Sequence, residues 1–193
     1  MSKFVIIVGK TGSGKTTLAN HLAENFGYTK VVTCTTRKPR EGEEDGVDYY
    51  FLSDEEFADA ERSGRFLETS GYTINGETTR YGSVKESYLN REDTVVVLDP
   101  LGAMTVLKDD EIRKRHPLIV WLDIPDYIAV SRLIDRGDNL DLAAKRFAAD
   151  GKNFDIFEKQ VRKLKFNTLR IWSAYTVEQM ARSVHTFAGM ELL

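Results

Sequence analysis

The stretch Gly9-Lys10-Thr11-Gly12-Ser13-Gly14-Lys15-Thr16 constrains this chain more than any other. A G-x-x-x-x-G-K-T run works only where a strand feeds a glycine turn and the turn opens a helix. Both flanks supply that context. Lys3 to Val8 (KFVIIV) is a short apolar, β-branched run that reads as a buried strand. After the glycines, TTLANHLAENF carries Leu18, Leu22 and Phe26 at helical spacing and meets Gly27 as a stop. Backbone N–H groups of such a turn curl around an anion, the helix dipole adds to them, and a lysine supplies a point charge. The expected triphosphate-binding residues are therefore Gly9, Thr11, Gly12, Ser13, Gly14, Lys15, Thr16 and Thr17. Lys15 would reach the outer phosphates, and the Thr16 hydroxyl would hold Mg²⁺. A glycine-rich turn that binds nothing is the alternative reading.

The rest of the chain reads as one α/β unit of 193 residues, without repeats or low-complexity linkers. YTKVVTCT reads as a second strand, and TVVVL (94–98) and LIVWL (118–122) as buried parallel strands. FNTLRI (166–171) reads as a weaker last strand, followed by a closing helix over 176–187 with a T-x-x-Q cap. Strands alternating with helices predict a three-layer α/β/α core around a parallel sheet. A formal charge of −3 argues against a general nucleic-acid binder. No apolar stretch is long enough to cross a bilayer, and Met1 to Val8 has no signal-peptide layout, so no membrane partner and a cytoplasmic location are expected. Cys34 is the only cysteine, which excludes an intrachain disulfide and a cysteine-based zinc site. His21, His116 and His185 carry no motif and read as surface or packing residues.

Two stretches break the alternation. From 35 to 86 the chain is polar and rich in glycine and tyrosine, and is expected to form a small mixed-β insert. Within it, Ser53-Asp54-Glu55-Glu56 caps a short helix ending near Gly64, and Asn75-Gly76 reads as a type I′ turn joining Tyr72–Ile74 to Thr78–Arg80. The second stretch, 132–146, carries Arg132, Arg136 and Arg146 around RGDN and reads as a short lid; a plain surface excursion is its alternative. The expected division is thus a core of 1–34, 87–131 and 147–193, an insert of 35–86 and a lid of 132–146.

Within the insert, Thr35-Thr36-Arg37-Lys38-Pro39-Arg40-Glu41-Gly42-Glu43 and Gly46-Val47-Asp48-Tyr49-Tyr50-Phe51 follow the P-loop. Together with Phe66-Leu67-Glu68, Arg80-Tyr81-Gly82-Ser83 and the later arginines, this order closely resembles the guanylate kinase family over roughly residues 1–150. The residues also make chemical sense singly. Arg37 and Arg40, with Tyr49 and Tyr81, can clamp a monophosphate. Glu68 can accept from the ring N–H and exocyclic amine of guanine, and the Ser83 hydroxyl can donate to its carbonyl oxygen. As solvated loop charges, core tyrosines and a Glu68–Arg65 pair, the same residues would carry no chemistry.

The resemblance implies an enzyme moving the ATP γ-phosphoryl group to GMP or dGMP, as a monomer or homodimer. It implies nucleotide contacts from Thr33, Arg37, Arg40, Tyr49, Glu68, Tyr81 and Ser83, catalytic roles for Lys15, Arg37, Arg132, Arg136 and Arg146, and Mg²⁺ held by Thr16 and Asp99. Departures are visible too. Asp99-Pro100-Leu101-Gly102-Ala103 lacks the second acidic residue and the glutamine found at that place in the family, and the hairpin through 72–79 is longer. No clear counterpart of the late asparagine beside the donor adenine is present; Ser173 and Asn167 are the nearest candidates. Two alternatives follow from these departures: a kinase whose acceptor has drifted to another nucleotide or a phosphorylated sugar, and a non-catalytic interaction module. The altered DPLGA segment favours the first. The intact P-loop and arginines oppose the second.

Overall fold

A computed structural model describes residues 3–74, 76–89, 92–172 and 175–190. Among them, a parallel sheet is built around β1 (Phe4–Gly9). Every residue of β1 is buried, with Phe4, Ile6 and Val8 packing on one face and Val5 and Ile7 on the other. That continuous apolar run needs cover on both sides, and helices provide it. The P-loop leads into α1 (Lys15–Phe26), whose Leu18 and Leu22 join Val5 and Ile7.

The chain then departs from the sequence expectation. YTKVVTCT is not one strand: it divides into β2 (Thr29–Lys30), at the edge of the parallel sheet, and β3 (Thr33–Thr35), in a second sheet. Val31 is buried in the core beside Val96, while Cys34 pairs with Gly82 of the insert. A single polar-apolar run thus serves two cores. Residues 33 and 34 pair in the second sheet, ahead of the expected start of the insert at 35.

The second sheet has the order β4-β3-β6-β5, with β4 (Tyr49–Phe51), β5 (Phe66–Ile74) and β6 (Glu77–Val84). Helix α2 (Asp54–Arg62) carries the expected capping box between Ser53 and Glu56. Its Phe57 packs 4.6 Å, ring to ring, from Phe66. The hairpin is antiparallel with Ile74 opposite Glu77; Gly76 has φ 83°, and Asn75 of the expected turn lies outside the described residues. A 3₁₀ turn (Lys85–Tyr88) returns the chain to β7 (Thr94–Val97), which lies between β2 and β1.

Asp99 caps α3 (Pro100–Val106), and α4 (Asp110–Arg113) precedes β8 (Leu118–Leu122). Helix α5 (Asp126–Asp135) and the long α6 (Leu140–Leu164) follow, so the expected lid is mostly helical, with residues 136–139 as its only connection. The chain closes with β9 (Thr168–Ile171) and α7 (Val177–Ala188), the latter carrying the expected Thr176–Gln179 capping box. The sheet order is β2-β7-β1-β8-β9, all parallel. No helix among the described residues is long and apolar enough to cross a membrane.

Candidate active site

Open parallel sheets bind ligands beyond the carboxyl ends of their strands. Here Gly9 ends β1 at that edge, opposite Leu122 of β8. A Cβ on Gly12 would sit 2.6 Å from the Ala129 carbonyl oxygen, and its φ is +75°, so only glycine fits the loop. Lys15 folds back over the loop, donating to the carbonyls of Gly9 (2.7 Å) and Lys10 (2.9 Å). Burial lowers the Lys15 ammonium to a pKa of about 8, against the pull of Asp150. Asp150 accepts from the Thr11 N–H at 3.2 Å, and burial raises its carboxyl.

Above the loop lies a cavity of about 400 Å³ between the parallel sheet, the insert and the 136–139 connection. It is lined by Gly9, Thr11, Gly12, Gly14, Lys15, Thr16 and Thr17 on the P-loop side. The insert contributes Thr33, Arg37, Arg40, Tyr49, Glu68 and Tyr81, and the α5–α6 region contributes Arg132, Arg136 and Arg146; Asp99 closes the remaining side. Of the expected site residues only Ser13 and Ser83 do not line it. Ser13 is buried beneath the loop, its Oγ without a hydrogen-bond partner. Ser83 is 0% exposed, and its proton goes to Glu68 Oε1 at 2.7 Å, so it does not present a donor to the cavity as expected. Asn167 stands before β9, its carbonyl accepting from Ile119 N–H, at the opposite edge of the sheet from Gly9. Ser173 lies outside the described residues.

The insert wall follows strand periodicity. Glu68, Ser70 and Tyr72 share one face of β5, and they stand opposite Ser83, Tyr81 and Thr79 of β6. Ser70 and Tyr72 line the cavity with Glu68, although the sequence marks only Glu68 of the three as a site residue. Ser70 hydrogen-bonds Asp99 Oδ2, while Asp99 Oδ1 caps α3 by accepting from Leu101 and Gly102 N–H. Glu68 is 5% exposed; burial raises its pKa to about 7, Asp99 adds to the rise, and the Ser83 hydrogen bond opposes it.

The cationic groups each have a partner. Glu43 takes both terminal nitrogens of Arg37, at 2.7 and 3.0 Å, and the guanidinium lies 5.2 Å from the Tyr49 ring centre. Arg37 Nε is buried without a partner, an unused donor beside the cavity. Arg132 donates to the Ser13 carbonyl at 3.1 Å. Arg136 binds Asp138, which also faces Arg40 at 3.6 Å and so ties the insert to the connection. Arg146 lies 4.5 Å over the Tyr72 ring and 3.5 Å from the Tyr81 hydroxyl. Burial works to raise the Tyr81 phenol, but Arg146, Tyr72 and Arg37 outweigh it and leave it below the ordinary value. Asp150 and Asn153, unforeseen cavity residues, follow Arg146 at i+4 and i+7 on α6; that spacing was the available signal.

The guanylate kinase family matches residues 1–168. The guanylate kinase of Listeria innocua is 30% identical over 181 residues, covering 83% of this chain and 84% of that protein. That of Lactiplantibacillus plantarum is 34% identical over 152 residues, 75% of this chain and 70% of that protein. The chain belongs to the guanylate kinase family. A solved structure of the guanylate kinase from Anaplasma phagocytophilum aligns with a TM-score of 0.62 over 97% of this chain and 85% of that one. At 24% identity that likeness supports the fold. Family membership agrees with a P-loop, a mixed-sheet insert and convergent arginines around one cavity. It makes the departures at 99–103 local features of this guanylate kinase family chain: Leu101 lines the cavity, and Gly102 leaves room for Glu68.

Proposed function

We infer that this chain transfers the γ-phosphoryl group of ATP to GMP or dGMP. The observation that carries the reading is the joint lining of one cavity by Lys15, by Glu68 and by Arg37, Arg40 and Arg146. A triphosphate anchor, a base-reading carboxylate and a phosphate clamp thus share one space.

The P-loop amides and Lys15 hold the β- and γ-phosphates of the donor, and Lys15 exchanges its two carbonyl partners for phosphate oxygens. Thr16 and Asp99 offer hard oxygen donors on the same cavity, a set suited to Mg²⁺. Bound there, Mg²⁺ would supply charge neutralisation on the donor phosphates. Arg37 and Arg40, with Tyr49 and Tyr81, fix the acceptor phosphate. Arg37 and Arg40 already face the carboxylates of Glu43 and Asp138, which supports their use as partners for anionic oxygens. Glu68 accepts from the guanine N–H edge, and Thr33 lines the wall beside it. Arg132, Arg136 and Arg146 offset charge on the group in transit. No histidine base is required, because a phosphate monoester acceptor has a second pKa near 6. Closure of the insert onto the 136–139 connection, which Arg40 and Asp138 already bridge, would exclude water and favour transfer to nucleotide over hydrolysis. The working parts we propose are therefore a core, an acceptor insert and a lid around residues 132–146.

A coupled ADP-release assay with ATP, Mg²⁺ and GMP, dGMP, AMP, CMP, UMP or dTMP tests the reading. Turnover confined to GMP and dGMP is expected. Preference for another acceptor would replace Glu68 as the base reader.

A further inference from the structure

Behind Glu68 runs a short buried chain of hydroxyls that the reading above leaves without a role. Tyr88, in the 3₁₀ turn after β6, donates its hydroxyl proton to Ser83 Oγ at 2.8 Å, and Ser83 donates to Glu68 Oε1 at 2.7 Å. Tyr88 is 3% exposed, Ser83 0% and Glu68 5%. Donor counting sets the direction. Ser83 has a single proton; once it accepts from Tyr88, that proton is free to point only to the carboxylate. Burial holds the Tyr88 phenol far above its ordinary range, so it stays a donor. Glu68 Oε2 lies against Gly102, where a Cβ would approach to 2.7 Å, and Glu68 lines the cavity. The ring of Tyr88 is itself anchored in the core, 6.1 Å from that of Phe4.

We propose that Tyr88 is a positioning residue which, through Ser83, keeps the Glu68 carboxyl an acceptor-only group and thereby sets acceptor-base specificity. The proposal rests on the guanine reading of the cavity. An ionised Glu68 accepts from an edge that carries N–H donors, as guanine does. A protonated Glu68 becomes a donor, and pairs instead with an edge that offers a ring-nitrogen acceptor beside an amine, as adenine does. Among the described residues, Asp99 at the start of α3 acts on Glu68, and Glu68 in turn acts on the Cys34 thiol of β3. Asp99 favours the protonated form, and Cys34 is a buried thiol whose pKa is raised. The hydroxyl chain is what opposes protonation. Its outermost donor polarises Ser83, strengthening the hydrogen bond to the ionised carboxylate.

The test is the pH profile of kcat/KM for GMP and AMP in wild type and Tyr88→Phe, with ATP saturating. Titration of the nucleotide phosphate is common to both proteins and cancels in the comparison. Loss of one hydrogen bond's worth of support moves the acid limb for GMP upward by about half a unit to one unit. At pH 6.5 kcat/KM for GMP should fall roughly three- to tenfold and the GMP-to-AMP ratio should fall with it. At pH 8.5 the two proteins should converge, with the KM for ATP unchanged throughout. A folded Tyr88→Phe with the wild-type profile and ratio would overturn the proposal. Should thermal melting show that Tyr88→Phe does not fold, Ser83→Ala must show the same displacement, larger; an unmoved profile there overturns it equally. A wild type silent toward GMP would overturn the guanine reading instead.

Discussion

Glu68 stands between two demands at the residue scale. Its pKa of about 7, against an ordinary 4.5, means that the folded chain holds the proton more tightly than the unfolded chain. Between those values stability is lost as pH rises, amounting to about 3 kcal/mol at most once Glu68 is fully ionised. Glu68→Gln, which is neutral at all pH values, should therefore match wild type in melting temperature near pH 4.5 and exceed it at pH 8, by on the order of 5 °C. Equal melting temperatures at both pH values would contradict that burial cost. The variant should also lose preference for GMP over AMP, because it presents an amide donor where guanine needs an acceptor. Lys15 titrates from the other side. Its ammonium, lowered to about 8 by burial, loses its proton as pH rises, so kcat/KM for ATP should decline above pH 8. Lys15→Ala should cut kcat by at least about 10²-fold while the melting temperature holds. Near-normal turnover in the folded variant would remove Lys15 from the donor site.

At the scale of elements, the long β5–β6 hairpin is part of the site wall. Tyr72 carries the Arg146 guanidinium on its ring and meets Tyr81 hydroxyl to hydroxyl at 3.4 Å. A cation–π contact of this kind contributes about 0.5–2 kcal/mol to holding the arginine in place. Tyr72→Leu should lower kcat roughly three- to thirtyfold with little change in melting temperature, and Tyr72→Phe, which keeps the ring, should recover most of it. Equal rates for Leu and Phe would deny the ring that role. Tyr72 was visible as part of an unusual hairpin, but its contact was not: Arg146 lies 74 residues away in sequence, on another element. The division of 29–35 into two strands was hidden for a related reason. A short β-branched run has the same pattern whether it serves one sheet or two, and only the partners, Val95 for Lys30 and Gly82 for Cys34, separate them. The P-loop strand, the capped helices and TVVV and LIVWL were legible because each carries its signal locally.

Over the whole molecule, the cavity depends on contacts that no local pattern encodes. Arg40 of the insert faces Asp138 of the 136–139 connection, and Arg132 holds the P-loop carbonyl of Ser13. The residue types that line the cavity are visible along the sequence, whereas the Ser70–Asp99, Tyr88–Ser83 and Lys15–Asp150 relations arise only on folding. On the roles proposed above, Glu68 acts ionised, above about 7, and Lys15 protonated, below about 8, so turnover should be highest between those limits. Because the proposed site draws on the P-loop, the insert and the α5–α6 region, ATP and GMP should each raise the melting temperature, and saturating both should raise it further. The central claim is direct transfer between two nucleotides in one cavity, and ³¹P NMR of the protein with ATP, Mg²⁺ and GMP tests it most directly. The account predicts loss of the ATP γ signal matched by new ADP and GDP β signals, with inorganic phosphate at background. Release of inorganic phosphate without GDP, or an unchanged ATP spectrum, would contradict it.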